Sequence, residues 1–243
     1  MTSTTMAPQI LSPLVEEAID LVECSHMRLE VKADAMYRQV SSGVPCWIAN
    51  SAGARRPLPI GRWLGGATST PDDRSVDELL IRRCTGPTMD IGCGPGRFTA
   101  ALAMRRVPAL GVDVSATAVG MTLRRGGMAI HRDVFAPLPG CGEWAHVLLA
   151  DGNIGIGGDP VRLLRRARQL LRPNGTVIAE IDSRPIGVCR EFLRWETDRS
   201  VGRWFPWALV GTDAAGDLAK AAGLRLVSDV EVSGRFIVVM RAV

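Results

Sequence analysis

The chain has 243 residues, 47% of them hydrophobic, which suits one large α/β domain with additions and argues against two independent domains. Its 29 basic and 25 acidic residues leave a formal charge of +4, too mild by itself to mark a nucleic-acid binder, which carries a clustered basic stripe. Cys24, Cys46, Cys84, Cys93, Cys141 and Cys189 show neither C-x-x-C nor Cys/His metal spacing, so reduced thiols are expected and neither a metal site nor a disulfide scaffold is.

Residues 1–10 are polar, and Glu16, Glu17 and Asp20 stand where a signal peptide would carry its apolar segment. No apolar run reaches membrane-spanning length, so the expectation is a cytoplasmic protein with no membrane partner. From Pro13 to about Glu30, Leu14, Ala18, Leu21, Val22 and Leu29 recur near helical period, and a second short helix is expected over Ala33–Val40. Between Ser41 and Asp73 the chain is rich in Gly, Pro and Ser yet carries Trp47, Ile48, Trp63 and Leu64, which predicts an irregular, packed lid. Residues 1–74 are accordingly read as an N-terminal helical and lid segment, and 75–243 as the core. Ser75, with Glu78 three residues on, has the pattern of a capping box for a helix to about Cys84.

Strand and helix then alternate, the mark of a mostly parallel sheet covered on both faces. Strands are expected at Thr88–Ile91, Ala109–Val114, Met128–His131, Ala145–Ala150 and Thr176–Ile181, with helices between them capped by Ser115 or stopped by Pro173 and Gly175. Ala214–Ala222 reads as the last helix, before two strands joined at Ser233-Gly234 in an antiparallel hairpin.

The most informative stretch is Asp90-Ile91-Gly92-Cys93-Gly94-Pro95-Gly96, between the first strand and a helical run. Glycines at alternate positions permit positive φ and let a ligand approach the main chain. A pyrophosphate loop of the form G-x-G-x-x-G would need glycine at Arg97, so a dinucleotide dehydrogenase fits poorly. Asp113, ending the second strand at the switch point of such a sheet, can accept hydrogen bonds from both hydroxyls of a ribose; the plainer alternative is a helix cap. Asp133 ends the third strand and has a turn aspartate as its alternative. A second glycine cluster, Asp151 to Gly158, follows the fourth strand. Phe192, Trp195, Trp204, Phe205 and Trp207 suit either an apolar acceptor pocket or simple packing. The arginines of the Pro160–Leu171 helix read as a solvated face.

The D-x-G-x-G-x-G pattern resembles motif I of class I S-adenosylmethionine-dependent methyltransferases, and the resemblance extends over roughly Asp77 to Val243. More narrowly, the Leu148–Pro160 run and Arg203–Trp207 look like a group of actinobacterial methyltransferase-domain proteins. The resemblance implies an α/β, Rossmann-like fold: a seven-stranded, mostly parallel sheet with an antiparallel last strand, helices on both faces and an N-terminal helical cap. It implies S-adenosylmethionine as cofactor and S-adenosylhomocysteine as product, bound by Asp90, Gly92, Cys93, Gly94 and Gly96, by Asp113 and Val114, and by Asp133 and Val134 at the adenine. In that family the segment after the fourth strand faces sulfonium and acceptor, so Asp151 and Asn153 are expected to line the transfer site, Asp151 as candidate base. His26, Tyr37 and Asp182 are further conceivable bases, although in-line displacement at a sulfonium needs none unless the acceptor must lose a proton. The implied activity is O-, N- or C-methylation of a small organic acceptor, as in secondary metabolism. The alternatives are an RNA or protein methyltransferase on the same core, or a silent cofactor-binding interaction protein.

Overall fold

The computed structural model describes residues 30–41, 43–198 and 200–243. Residues 13–29 of the helix expected over Pro13–Glu30, and with them the candidate His26, therefore lie outside the described residues. In chain order the elements are α1 (Glu30–Ser41), β1 (Trp47–Asn50), β2 (Arg55–Pro57), α2 (Ile60–Leu64), α3 (Pro71–Arg83), β3 (Thr88–Ile91), α4 (Arg97–Met104), β4 (Ala109–Asp113), α5 (Ala116–Arg124), β5 (Met128–His131), β6 (Trp144–Leu149), α6 (Pro160–Leu170), β7 (Leu171–Ile181), β8 (Val188–Glu196), β9 (Phe205–Val210), α7 (Ala215–Ala221), β10 (Leu224–Val232) and β11 (Arg235–Ala242).

Seven strands form the main sheet in the order β10-β11-β7-β6-β3-β4-β5. The strands β3 to β7 run parallel, and β11 runs against β7, as the hairpin signal predicts. Both residues of the turn, Ser233 and Gly234, have positive φ, the condition for a tight two-residue connection. The strands read as unbroken apolar runs because each face is covered. Met89, Val147, Leu149, Val177 and Val238 pack with Leu163 and Leu164 of α6 and Leu218 of α7. On the other face Leu148, Ile178, Ile237 and Val239 meet Val76 and Leu80 of α3 and Phe98 and Leu102 of α4.

Three local expectations change. Helix α3 starts at Pro71, because Thr70 makes the capping box: its hydroxyl accepts from Asp73 N at 3.1 Å, and the Asp73 carboxylate accepts from Thr70 N at 3.0 Å. Ser75 instead donates to Pro71 O, and Glu78 is taken by Arg82 and Arg105. The arginines of α6 are more than a solvated face: Arg165 donates to Ala221 O at the end of α7, and Arg166 donates to Val134 O and Ala136 O. The stretch from Ser41 to Asp73 holds strands β1 and β2, which join β8 and β9 in a second, antiparallel sheet of order β2-β1-β8-β9.

This second sheet stands beside the carboxyl ends of the parallel strands, where β9 packs so closely on the Asn153–Gly158 turn that a Cβ on Gly155 would strike Ala208 O. Helix α1 is fastened to α5: Asp34 Oδ1 accepts from Ser115 Oγ at 2.5 Å and from Thr117 N at 2.8 Å. No helix among the described residues is long and apolar enough to cross a membrane.

Candidate functional site

The strand order reverses between β3 and β6, and a crevice opens there at the carboxyl ends. After β3 the chain bends back on β4, with Gly92 N and Cys93 N donating to Val112 O at 2.8 and 3.2 Å. Gly94 has φ of 54°, and a Cβ there would lie 2.9 Å from the Tyr37 hydroxyl, so the loop surface needs a bare main chain. Gly94 N donates to Asp113 Oδ2 at 2.9 Å, and Ser115 N donates to Asp113 Oδ1 at 2.9 Å. Each Asp113 oxygen keeps a second acceptor position. Burial pushes this carboxyl above its ordinary value, against the pull of its two N–H partners.

Asp90 is 1% exposed and accepts from Thr99 Oγ1 at 2.8 Å. Burial pushes its carboxyl up to about 6. Asn153 spans from the second glycine cluster and donates to Ile91 O at 2.9 Å and Gly92 O at 3.0 Å, locking the two loops together. Gly111 on β4 lies under Cys93: a Cβ there would come 2.6 Å from its Sγ.

Tyr37, Asp90, Gly92, Cys93, Gly94, Asp113 and Asn153 line one cavity of about 790 Å³, within the usual range for small-molecule sites. Of the expected site residues it brings together Asp90, Gly92, Cys93, Gly94, Asp113, Val114, Asp133, Val134 and Asp151, with Tyr37, Asn153 and Asp182. Gly96 does not line it; a Cβ there would meet Thr122 of α5 at 2.6 Å, so this glycine serves helix packing. At the β5 end Asp133 Oδ1 accepts from Phe135 N at 2.9 Å, and the Arg162 guanidinium lies 3.9 Å from the Phe135 ring centroid. Over the opposite half stands an aromatic chain. Trp63 meets Trp195 edge-on at 6.3 Å, Trp195 lies 5.1 Å from Phe205, and Phe205 meets Trp207 edge-on at 6.2 Å.

Asp151, with φ of 53°, sits in an ion network between these halves. Arg97 binds Asp151 Oδ2 and Asp77, while Arg235 reaches Asp151 Oδ1 at 3.1 Å and grips Glu180 through Nε at 2.6 Å. Arg62 of α2 brings its Nε to 3.2 Å from Asp151 Oδ1. Asp151 N donates to Glu180 Oε2 at 2.8 Å. Both oxygens of Asp151 are thus held by guanidinium groups, which compete with any acceptor proton for its lone pairs. The charge of Asp77, Asp151 and Glu180 in turn holds the guanidinium groups of Arg97 and Arg235 protonated despite their burial. Arg97 stands next to the glycine loop in sequence, but Glu180 and Arg235 belong to distant strands and carry no local signal.

A profile of the family described as methyltransferase domain matches residues 73–229. Trans-aconitate 2-methyltransferase of Paracidovorax citrulli (strain AAC00-1) is 30% identical over 153 residues, covering 60% of this chain. The match spans 55% of that relative's length, little more than half of it. A SAM-dependent methyltransferase of Bacteroides fragilis, crystallised with S-adenosyl-L-homocysteine, superposes on 86% of this chain and 95% of its own, with TM-score 0.72 and 17% identity. The 1,6-didemethyltoxoflavin-N1-methyltransferase of Burkholderia thailandensis covers 72% of this chain and 80% of its own at TM-score 0.53 and 17% identity. At such identities the two structures bear on the fold alone.

Proposed function

The chain belongs to the methyltransferase-domain family, and on that premise we propose that it is an S-adenosylmethionine-dependent methyltransferase acting on a small organic acceptor. The crevice fits the donor. Bare main chain at Gly94 lets it lie against the loop, and the second acceptor positions of Asp113 meet two ribose hydroxyls. Asp133 and Val134, at the far end beside Phe135, suit an adenine edge, and Asp90 with Gly92 and Cys93 suits the methionyl end.

When bound, the donor supplies a methyl group on a sulfonium, open to in-line displacement by an acceptor lone pair. The chain's contribution is placement and exclusion of water. Asn153 fixes the glycine loop, and Asp113 fixes its far side through Gly94 N. Trp63, Trp195, Phe205 and Trp207 form an apolar wall for the acceptor. Asp151 acts as a positioning residue, joining Arg62 of the cap to Arg97 at the loop. A cavity of about 790 Å³ suits a small acceptor.

The carrying observation is the pairing of Asp113 with Gly94 N at the mouth of the parallel sheet. Calorimetry with S-adenosylhomocysteine tests it. Wild type binds; Gly94→Val, which places side chain in the space of the Tyr37 hydroxyl, and Asp113→Ala, which frees the loop, each bind at least about tenfold more weakly. Undiminished affinity in both variants overturns the reading.

A further inference from the structure

Six carboxylates line the cavity: Asp90, Asp113, Asp133, Asp151, Glu180 and Asp182. The first three lie on the loop side assigned above to the donor. Each of the other three is held by arginine. Arg97, Arg235 and Arg62 take Asp151, Arg235 grips Glu180, and Arg184 grips Asp182 at 2.9 Å through Nε and 2.8 Å through a terminal nitrogen. Among the described residues no histidine or lysine lines the cavity. Tyr37, the single tyrosine of the chain, is held protonated, because burial and the nearby Asp113 push its phenol well above the ordinary value. Among the described residues, the acceptor half thus presents carboxylates already bridged by arginine and a phenol that keeps its proton.

It does offer cations. Arg56 of β2 and Arg62 of α2 both line the cavity on the cap side, beside Trp63 and Trp195. The buried Nε of Arg62 approaches Asp151 yet makes no hydrogen bond there. Arg56 makes no hydrogen bond or ion pair among the described residues; its field reaches Asp182, whose oxygens Arg184 already occupies. Two arginines thus face a volume walled by aromatic rings, a setting that attracts an anion on a flat apolar body and repels a protonated amine.

We propose that the acceptor is a small carboxylic acid, bound as its carboxylate by Arg56 and Arg62 and methylated on oxygen to the methyl ester. The inference rests on the donor reading above. One carboxylate oxygen gains the methyl carbon as the carbon–sulfur bond breaks, the bonding pair leaves on sulfur, and no proton changes hands. That balance asks no base of the wall. The step also removes two opposite charges, so a wall of aromatic rings, which solvates charge poorly, assists it.

The test compares benzoate, cinnamate and 2-naphthylacetate with their primary amides on protein saturated with S-adenosylhomocysteine, by calorimetry, for wild type, Arg56→Gln and Arg56→Lys. At least one acid is expected to bind about tenfold or more tighter than its amide. Arg56→Gln is expected to erase most of that preference and Arg56→Lys to restore part of it, while S-adenosylhomocysteine affinity stays within about twofold. With methyl-labelled donor, the product is an ester whose label leaves as methanol in alkali. Equal binding of acid and amide, binding of neither, or a preference that survives in Arg56→Gln overturns the inference. So does labelling of a phenol or amine but of no acid, which leaves the donor reading standing; failure of wild type to bind S-adenosylhomocysteine sinks both.

Discussion

Replacing Asp90 with Asn removes a charge that the folded protein carries at a cost. The carboxyl is 1% exposed, and burial lifts it from an ordinary 3.8 to about 6. The folded state therefore holds this proton more tightly than the unfolded chain does. Its stabilising contribution is complete below the unfolded value and is lost as pH rises through the folded one, so wild type weakens between about pH 4 and about pH 6. Two units at 1.36 kcal/mol each make the ionised group cost about 3 kcal/mol at neutral pH. The Asn carbonyl can still accept from Thr99 Oγ1, while an unmatched amide N–H costs about 1 kcal/mol. The variant should be about 2 kcal/mol more stable than wild type near pH 7 and no more stable near pH 4, with weaker S-adenosylhomocysteine binding as the accompanying loss. Urea unfolding of both proteins across that range, followed by tryptophan fluorescence, measures the difference directly. A stability difference that stays flat, or shrinks as pH rises, would refute the claim that Asp90 is a buried, ionised and destabilising site residue.

Arg97→Met takes one guanidinium from the half-buried Asp77 and Asp151, which keep Arg235 and, for Asp151, Arg62, and should cost about 1–3 kcal/mol in urea unfolding. Gly111→Ala drives a methyl to 2.6 Å from Cys93 Sγ and should cost about 1–3 kcal/mol in the same assay, against no loss for Gly216→Ala in α7, whose Cβ would meet nothing within 4 Å. Arg166→Ala removes the bonds to Val134 O and Ala136 O and should weaken S-adenosylhomocysteine binding by about tenfold by calorimetry, with the helix content of α6 retained in circular dichroism.

The parallel core and glycine loop were legible in the chain because their signals are local. Runs such as Val147-Leu148-Leu149 are apolar on both faces, the cap Ser115 stands at a helix start, and Asp90 to Gly96 falls between strand and helix. The cap sheet was not legible. Its strands β1 and β2 have 4 and 3 residues, too few to show a period, and β1 pairs with β8, where Asn50 faces Leu193. The same distance hid the fate of Asp151. Its partners Arg97 and Arg235 lie 54 and 84 positions away, so a residue type apt for base chemistry gave no hint of the guanidinium groups closing on it.

Sequence alone thus determined the elements of the main sheet and the glycine loop, where backbone conformation and burial follow from adjacent residues. Only the tertiary structure decided which carboxylates are engaged and which arginines are left facing the cavity, because charge pairing in a cleft depends on distances between strands that the chain order does not encode.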